Sequence, residues 1–153
     1  SGVYRVSPDL KNIDLVARDF PSPNGLAFSP DEKLLYINDF SHSHIRVFEV
    51  QSNGLITNDR LFYTLKGIRQ GSTDGMKVDK IGNVYCTGPG GVWIINPDGQ
   101  HLGTILTGSE LQTTNCAWGE KDGKTLFITT RDSLMRIRLK IPGVEVPAVP
   151  HSK

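Results

Sequence analysis

Two dipeptides carry the side chains best suited to chemistry. Asn24-Gly25 and Asp74-Gly75 each place a short oxygen-bearing side chain directly before a glycine. Asn115-Cys116 occupies a third comparable place. Carboxylate and amide oxygens suit hard cations such as calcium. A cation held there would polarise a carbonyl and lower the pKa of a bound water. A carboxylate beside it would accept that water's proton. The competing reading is turn geometry, because Asn-Gly and Asp-Gly are ordinary turn pairs. Residue type alone leaves both readings open. Asn115 is followed by Cys, so it rests on position only.

The other candidates have plainer explanations beside them. His42 and His44 form a His-x-His pair after Asp39; such spacing can bind zinc, but a solvated loop explains it as well. Arg131 and Asp132 would reach a substrate from a loop, or form an exposed ion pair. Gly88-Pro89-Gly90-Gly91 precedes no helix and no Lys-Ser/Thr, so it reads as a hairpin turn rather than a phosphate loop. No Gly-x-Ser-x-Gly elbow offers a serine nucleophile. Trp93 and Trp118 read as packing residues. Cys86 and Cys116 lie in apolar strand contexts without metal-type spacing and read as buried thiols.

The elements that position these residues follow from a repeat. Gly2–Val6, His44–Phe48, Gly91–Ile95 and Ser133–Ile137 are one strand type; aligning Val3, Ile45, Val92 and Leu134 gives intervals of 42, 47 and 42 residues. A second type precedes it at Leu34–Asn38, Asn83–Thr87 and Thr125–Thr129. A third comes before that, at Asn24–Phe28, Asp74–Val78 and Asn115–Trp118. Pro, Gly and Asp clusters separate the strands. A fourth strand fits at Arg60–Tyr63 and Leu102–Leu106. Four short antiparallel strands per repeat of this length is the period of a β-propeller blade. No helical periodicity competes. A β-sandwich would not return three strand patterns in fixed order.

The repeat predicts an all-β chain of about three blade equivalents, half of a six-bladed ring. Residues 1–20 form a partial blade, 24–66 and 74–107 two full blades, and 115–140 a second partial blade. These make a half-propeller over 1–141, with an extended tail over 142–153. Asn24, Asp74 and Asn115 fall in the same slot of successive repeats. That slot opens the innermost strand at the channel mouth. The chain starts mid-blade and at Ser rather than Met, which is read as loss of Met or as a cut from a longer protein.

Bulk properties exclude several partners. A net charge of +1 over 153 residues gives no electrostatic footprint for nucleic acid or an anionic membrane. Apolar stretches are strand-sized, too short for a spanning helix. No basic-then-apolar leader opens the chain. With two cysteines and no Asn-x-Ser/Thr sequon, the expected compartment is the cytoplasm.

Several motifs in order resemble the senescence marker protein/gluconolactonase (regucalcin-like) family. They are Pro23-Asn24-Gly25-Leu26-Ala27-Phe28-Ser29-Pro30-Asp31, Asp74-Gly75-Met76-Lys77-Val78-Asp79, and Gly82–Tyr85 running into Gly88–Trp93. Leu126–Arg131, followed by Leu134 and Arg136-Ile137-Arg138, continues the likeness. It covers nearly the whole chain and matches the family's C-terminal half. The resemblance implies a six-bladed propeller with one divalent cation in its channel: calcium foremost, or zinc or manganese. It implies hydrolysis of sugar-type lactones, with Asn24 as a cation ligand and Asp74 as ligand and base. A Glu and an Asn that the family draws from its earlier blades have no counterpart here. Asn115 and Arg131 are placed as further channel-lining residues.

The leading expectation is therefore a metal-dependent lactone hydrolase whose ring a second chain completes as a homodimer, acting on a small-molecule lactone. The rivals are a non-catalytic propeller binding module and an inactive truncated fragment. In a homodimer, Val3–Val6 and Leu134–Leu139 are both third-strand types and compete for one slot.

Overall fold

The computed structural model describes residues 1–108 and 112–145. Among these there is no helix. Thirteen strands form four antiparallel sheets that follow one another along the chain. The first sheet pairs β1 (Val3–Val6) with β2 (Ile13–Ala17). The second runs in order β3 (Pro23–Phe28), β4 (Leu34–Asp39), β5 (His44–Val50) and β6 (Ile56–Thr64). The third holds β7 (Met76–Val78), β8 (Val84–Gly88), β9 (Gly91–Ile95) and β10 (His101–Leu106); the fourth holds β11 (Thr113–Gly119), β12 (Thr125–Thr130) and β13 (Leu134–Arg138). The chain is a run of propeller blades.

Turn chemistry sets the strand lengths. In Ser7-Pro8-Asp9 and Ser29-Pro30-Asp31 the serine hydroxyl donates to the aspartate, at 2.6 and 2.7 Å. The same hydroxyl then accepts the backbone N–H that opens the return strand, from Asn12 at 3.0 Å and Leu34 at 2.9 Å. Two turns of one chemistry thus fold alike in successive repeats.

Each sheet buries a face against the next. Val3, Ala17 and Phe20 meet Leu35, Ile37 and Phe48 between the first and second sheets. Ile45, Val47 and Leu65 meet Met76, Val84 and Ile95 between the second and third. Tyr85 and Val92 meet Cys116, Leu126 and Ile128 between the third and fourth. Strands β4 and β8 are central in this stack and buried almost throughout. Full burial of an aliphatic side chain such as Ile45 or Val84 contributes roughly 1.5–3 kcal/mol.

The two ends of the stack are open. Tyr4, Val6, Ile13 and Leu15 are exposed on the first sheet, and every residue of β13 is exposed on the last. An apolar cleft of about 280 Å³ lies between β1 and β3, lined by Val3, Val16, Leu26, Phe28, Leu35 and Ile56 among others. It occupies the place where the first sheet lacks the two inner strands that the complete sheets possess. Residues 142–144 dock on the third sheet. Gly143 bridges Asp79, and Lys80 N–H donates to the Pro142 carbonyl at 2.9 Å. Residues 146–153, the remainder of the expected tail, lie outside the described residues.

Candidate functional site

The innermost strands β3, β7 and β11 begin at one rim of the stack, and Asn24, Asp74 and Asn115 stand at their heads. Asn24-Gly25 is not a turn. It lies within β3, and neither Gly25 nor Gly75 has a left-handed φ. The pairing of β3 with β4 runs from Pro23 opposite Asp39 to Leu26 opposite Ile37. Asn24 and Gly25 therefore share the single partner Asn38, which makes a bulge. A bulge re-aims a side chain and leaves backbone groups without ladder partners. The glycines serve close packing instead of turn formation. A Cβ at Gly25 would lie 2.2 Å from the Asp74 carbonyl oxygen, and one at Gly75 would lie 2.1 Å from Asn115 Oδ1.

That packing brings the three heads together. The Asn24 amide stands close enough to the Asp74 carboxyl to favour its ionised form. Asn115 lies against the Gly75 backbone, and its Oδ1 also accepts the Cys116 N–H at 2.8 Å. Asn24 and Asn115 are exposed, while Asp74 is half-buried. Burial raises the Asp74 pKa above the ordinary carboxylate value, and the neighbouring Asn24 amide only partly opposes it. The carboxylate is thus desolvated with no cationic side chain among the described residues to offset it, an arrangement that a bound cation relieves. Arg131 sits at the same rim, in the turn after β12. Its N–H donates to the Gln112 carbonyl at 3.1 Å and its side chain is exposed.

Behind these residues lies a polar layer that the sequence reading did not single out. Asn38, Thr87 and Thr129 are each the last residue but one of the second strand of their blades. Asn38 and Thr87 are fully buried. Asn38 Oδ1 accepts the Gly25 N–H at 2.9 Å, and its Nδ2 donates to the Asp74 carbonyl at 2.8 Å. Thr87 Oγ1 accepts the Asp74 N–H at 3.1 Å. Thr129 Oγ1 donates to the Asn115 carbonyl at 3.4 Å. A polar residue recurring at the end of an otherwise apolar strand was the available signal.

Asp39 is also fully buried. Its carboxylate accepts the Ser22 N–H at 2.8 Å and the His42 N–H at 2.9 Å. Burial pushes its pKa up, but these two hydrogen bonds outweigh burial and hold it below the usual range. His42 stacks on His44 with ring centroids 5.3 Å apart, and its Nδ1 lies 3.5 Å from Asp39. Burial lowers the His44 pKa, against the pull of Asp39. Cys86 and Cys116 are free, buried thiols.

The donor set of Asn24 and Asp74 is all oxygen, one amide and one carboxylate. It fits part of the shell of a hard cation, which takes six to eight oxygens in the case of calcium. Among the described residues no group of three or more His, Cys, Asp or Glu side chains converges as a metal site. Among the described residues there is no helix long and apolar enough to cross a membrane.

Comparison with known proteins agrees with this architecture. The family model described as "SMP-30/Gluconolactonase/LRE-like region" matches residues 1–132. The chain belongs to that family. It is 42% identical over 151 residues to a gluconolactonase of Zymomonas mobilis, a match covering 94% of this chain and 42% of that protein. The structure of a gluconolactonase from Xanthomonas campestris aligns with a TM-score of 0.78 at 33% identity, over 93% of this chain and 44% of that one. A calcium-binding regucalcin from Agrobacterium tumefaciens shares the fold with a TM-score of 0.76 at 23% identity, over 94% of this chain and 53% of that one. The chain thus spans about half the length of the family members it matches, or somewhat less.

Proposed function

We propose that this chain supplies half of the channel site of a metal-dependent lactone hydrolase. The observation that carries the reading is the meeting of Asn24-Gly25 with Asp74: a half-buried carboxyl beside an amide, where two blades touch at the channel rim. Asn24 and Asp74 would hold the cation, with calcium favoured by the all-oxygen donors and zinc or manganese as alternatives. When bound, such an ion polarises a lactone carbonyl and lowers the pKa of water. Asp74 takes the proton of the attacking water. Asn115 and Arg131 line the same rim on the substrate side. The substrate class is a sugar-type lactone, in keeping with the gluconolactonase relatives.

One carboxylate and one amide do not complete a cation shell, so the reading includes a second chain that closes the ring as a homodimer. The free thiols fit the reducing cytoplasm. The rival reading, a non-catalytic or truncated propeller half, is favoured by the single matched carboxylate.

The test is calcium titration by calorimetry, joined to a gluconolactone hydrolysis assay on the same sample. The proposed function requires binding and turnover in the parent chain, both absent in Asp74→Asn with the fold intact. Equal binding in Asp74→Asn refutes the assignment of Asp74. A parent chain that binds no cation and hydrolyses no lactone supports the non-catalytic half.

A further inference from the structure

We propose that Asn38 is the positioning residue of the site: one buried amide that sets the distance and angle between Asn24 on one blade and Asp74 on the next. This rests on reading Asn24 and Asp74 as the cation-holding pair. The argument is one of connectivity. The bulge at Asn24-Gly25 leaves the Gly25 N–H without a ladder partner, and Asn38 Oδ1 takes it at 2.9 Å. The other end of the same amide donates to the Asp74 carbonyl at 2.8 Å and lies 3.3 Å from Cys86 Sγ. A planar, fully buried group therefore ties the two residues through their own backbones, leaving both side chains free for a ligand.

Asp39 repeats the pattern one step back. Its carboxylate holds Ser22, two residues before Asn24, while its carbonyl accepts the Thr73 hydroxyl at 2.7 Å, one residue before Asp74. The consecutive residues Asn38 and Asp39 thus hold both segments that lead to the site. The equivalent slots in the next two blades carry Thr87 and Thr129, which bond within their own sheets. A threonine hydroxyl suffices to hold one strand head. An amide has a donor and an acceptor on opposite corners, which linking two blades requires. Packing alone would be met by an apolar residue here, since the strand is buried on both faces. An apolar residue would leave the Gly25 N–H and the Asp74 carbonyl buried and unpaired.

The test compares Asn38→Leu and Asn38→Thr with the parent chain and with Val47→Ala, a core truncation in the same blade. Calcium chloride titration reports the cation, and amide hydrogen exchange at Gly25 reports the bulge. Nuclear Overhauser contacts between the Asn24 amide and the Asp74 methylene report the pair itself. Asn38→Leu is expected to weaken calcium binding and speed Gly25 exchange, each by about ten-fold, the scale of one lost buried hydrogen bond. Asn38→Thr borrows the residue that the next blade uses in this slot, so it is expected to fold. It should still lose the cross-blade bond, the Asn24–Asp74 contact and calcium affinity. Val47→Ala should lose stability yet keep calcium affinity and the contact. Either Asn38 variant folding with parental affinity and an unchanged Asn24–Asp74 contact overturns the proposal. So does Val47→Ala losing both to the same degree, because that would make the effect one of general stability. A parent chain that binds no calcium removes the cation reading. In that event the Asn24–Asp74 contact and Gly25 exchange still decide the role of Asn38.

Discussion

Gly25 and Asp74 touch backbone to backbone, so closely that a Cβ on Gly25 would sit 2.2 Å from the Asp74 carbonyl oxygen. The Asn38 amide is also within 2.8 Å of that Cβ position, and the Met76 N–H is 3.1 Å away. Two of these three neighbours are backbone, which cannot rotate aside. Gly25→Ala is therefore expected to separate the second and third blades locally and to cost about 2 kcal/mol, the range of overpacking a tight interior. Urea denaturation with matched m-values checks it. An unchanged midpoint would show that the blades slide freely at this point.

Asp74 and Asp39 should pull stability in opposite directions with pH. Burial first, only partly opposed by Asn24, raises the folded pKa of Asp74 above its unfolded value. Its contribution is therefore favourable below the ordinary carboxylate range and is lost as pH rises through the folded pKa. Asp39 is the reverse case. Hydrogen bonds hold its folded pKa down against burial, so its contribution is present above that range and lost as pH falls. Asp74→Asn is expected to be at least as stable as the parent near pH 7, and the gap should close by about pH 4. Asp39→Asn should be less stable near pH 7, with its deficit shrinking as pH falls. Urea midpoints across that range, measured in a metal chelator, separate the two. Parallel curves for the two variants would contradict both assignments.

These carboxylates also show how far the sequence could be read. Blade order was legible because three strand patterns return in sequence with turn residues between them. The heads of the inner strands were legible as slots for the same reason, and Asp74 and Asn24 stood out as oxygen donors. What Gly25 does was not legible. Asn-Gly reads as a turn by local chemistry, whereas here the glycine answers to a carbonyl on another blade, at Asp74. Asn38 was hidden for the same reason. It stands last but one in an apolar strand and looks like a strand terminus, yet its partners lie 13 and 36 residues away. Pro142–Val144 lacks any period that would forecast its docking on Asp79. Local pattern gives elements, and contacts between blades need coordinates.

The cysteines should be chemically silent in the native chain. Burial pushes the Cys116 thiol up to about 12, and raises Cys86 further still. The thiolate is the reactive form, so neither should alkylate near neutral pH while folded. Iodoacetamide followed by intact mass is expected to show no adduct in buffer and two in urea. Modification of Cys116 without denaturant would mean that the fourth sheet opens from the third, since Cys116 packs at that boundary beside Tyr85 and Leu126.

The open ends of the stack carry the last prediction. The first sheet has only two strands, and the cleft beside it is lined by Leu26 and Phe28, which are 48% and 45% exposed on the innermost strand β3. In the third sheet the equivalent residues of β7, Met76 and Val78, are buried against Tyr36 and Ile45 of the second sheet. In the proposed homodimer a pair of inner strands from the partner would cover these apolar side chains of β3. A second copy offers such strands as β11 and β12, whose own sheet lacks a fourth strand. The join cannot be simple, because β1 and β13 are equivalent third strands and one must yield. β13 is the candidate to yield, being exposed along its whole length and, among the described residues, paired only with β12. Sedimentation at micromolar concentration is expected to give twice the chain mass. Phe28→Glu places a charge in the cleft and should return the chain to one mass without loss of strand signal in circular dichroism. Deleting residues 134–153 should leave the pairing intact, because it removes the competing strand. A monomer in the parent chain, or a dimer indifferent to Phe28→Glu, would mean that this cleft is not where the ring closes.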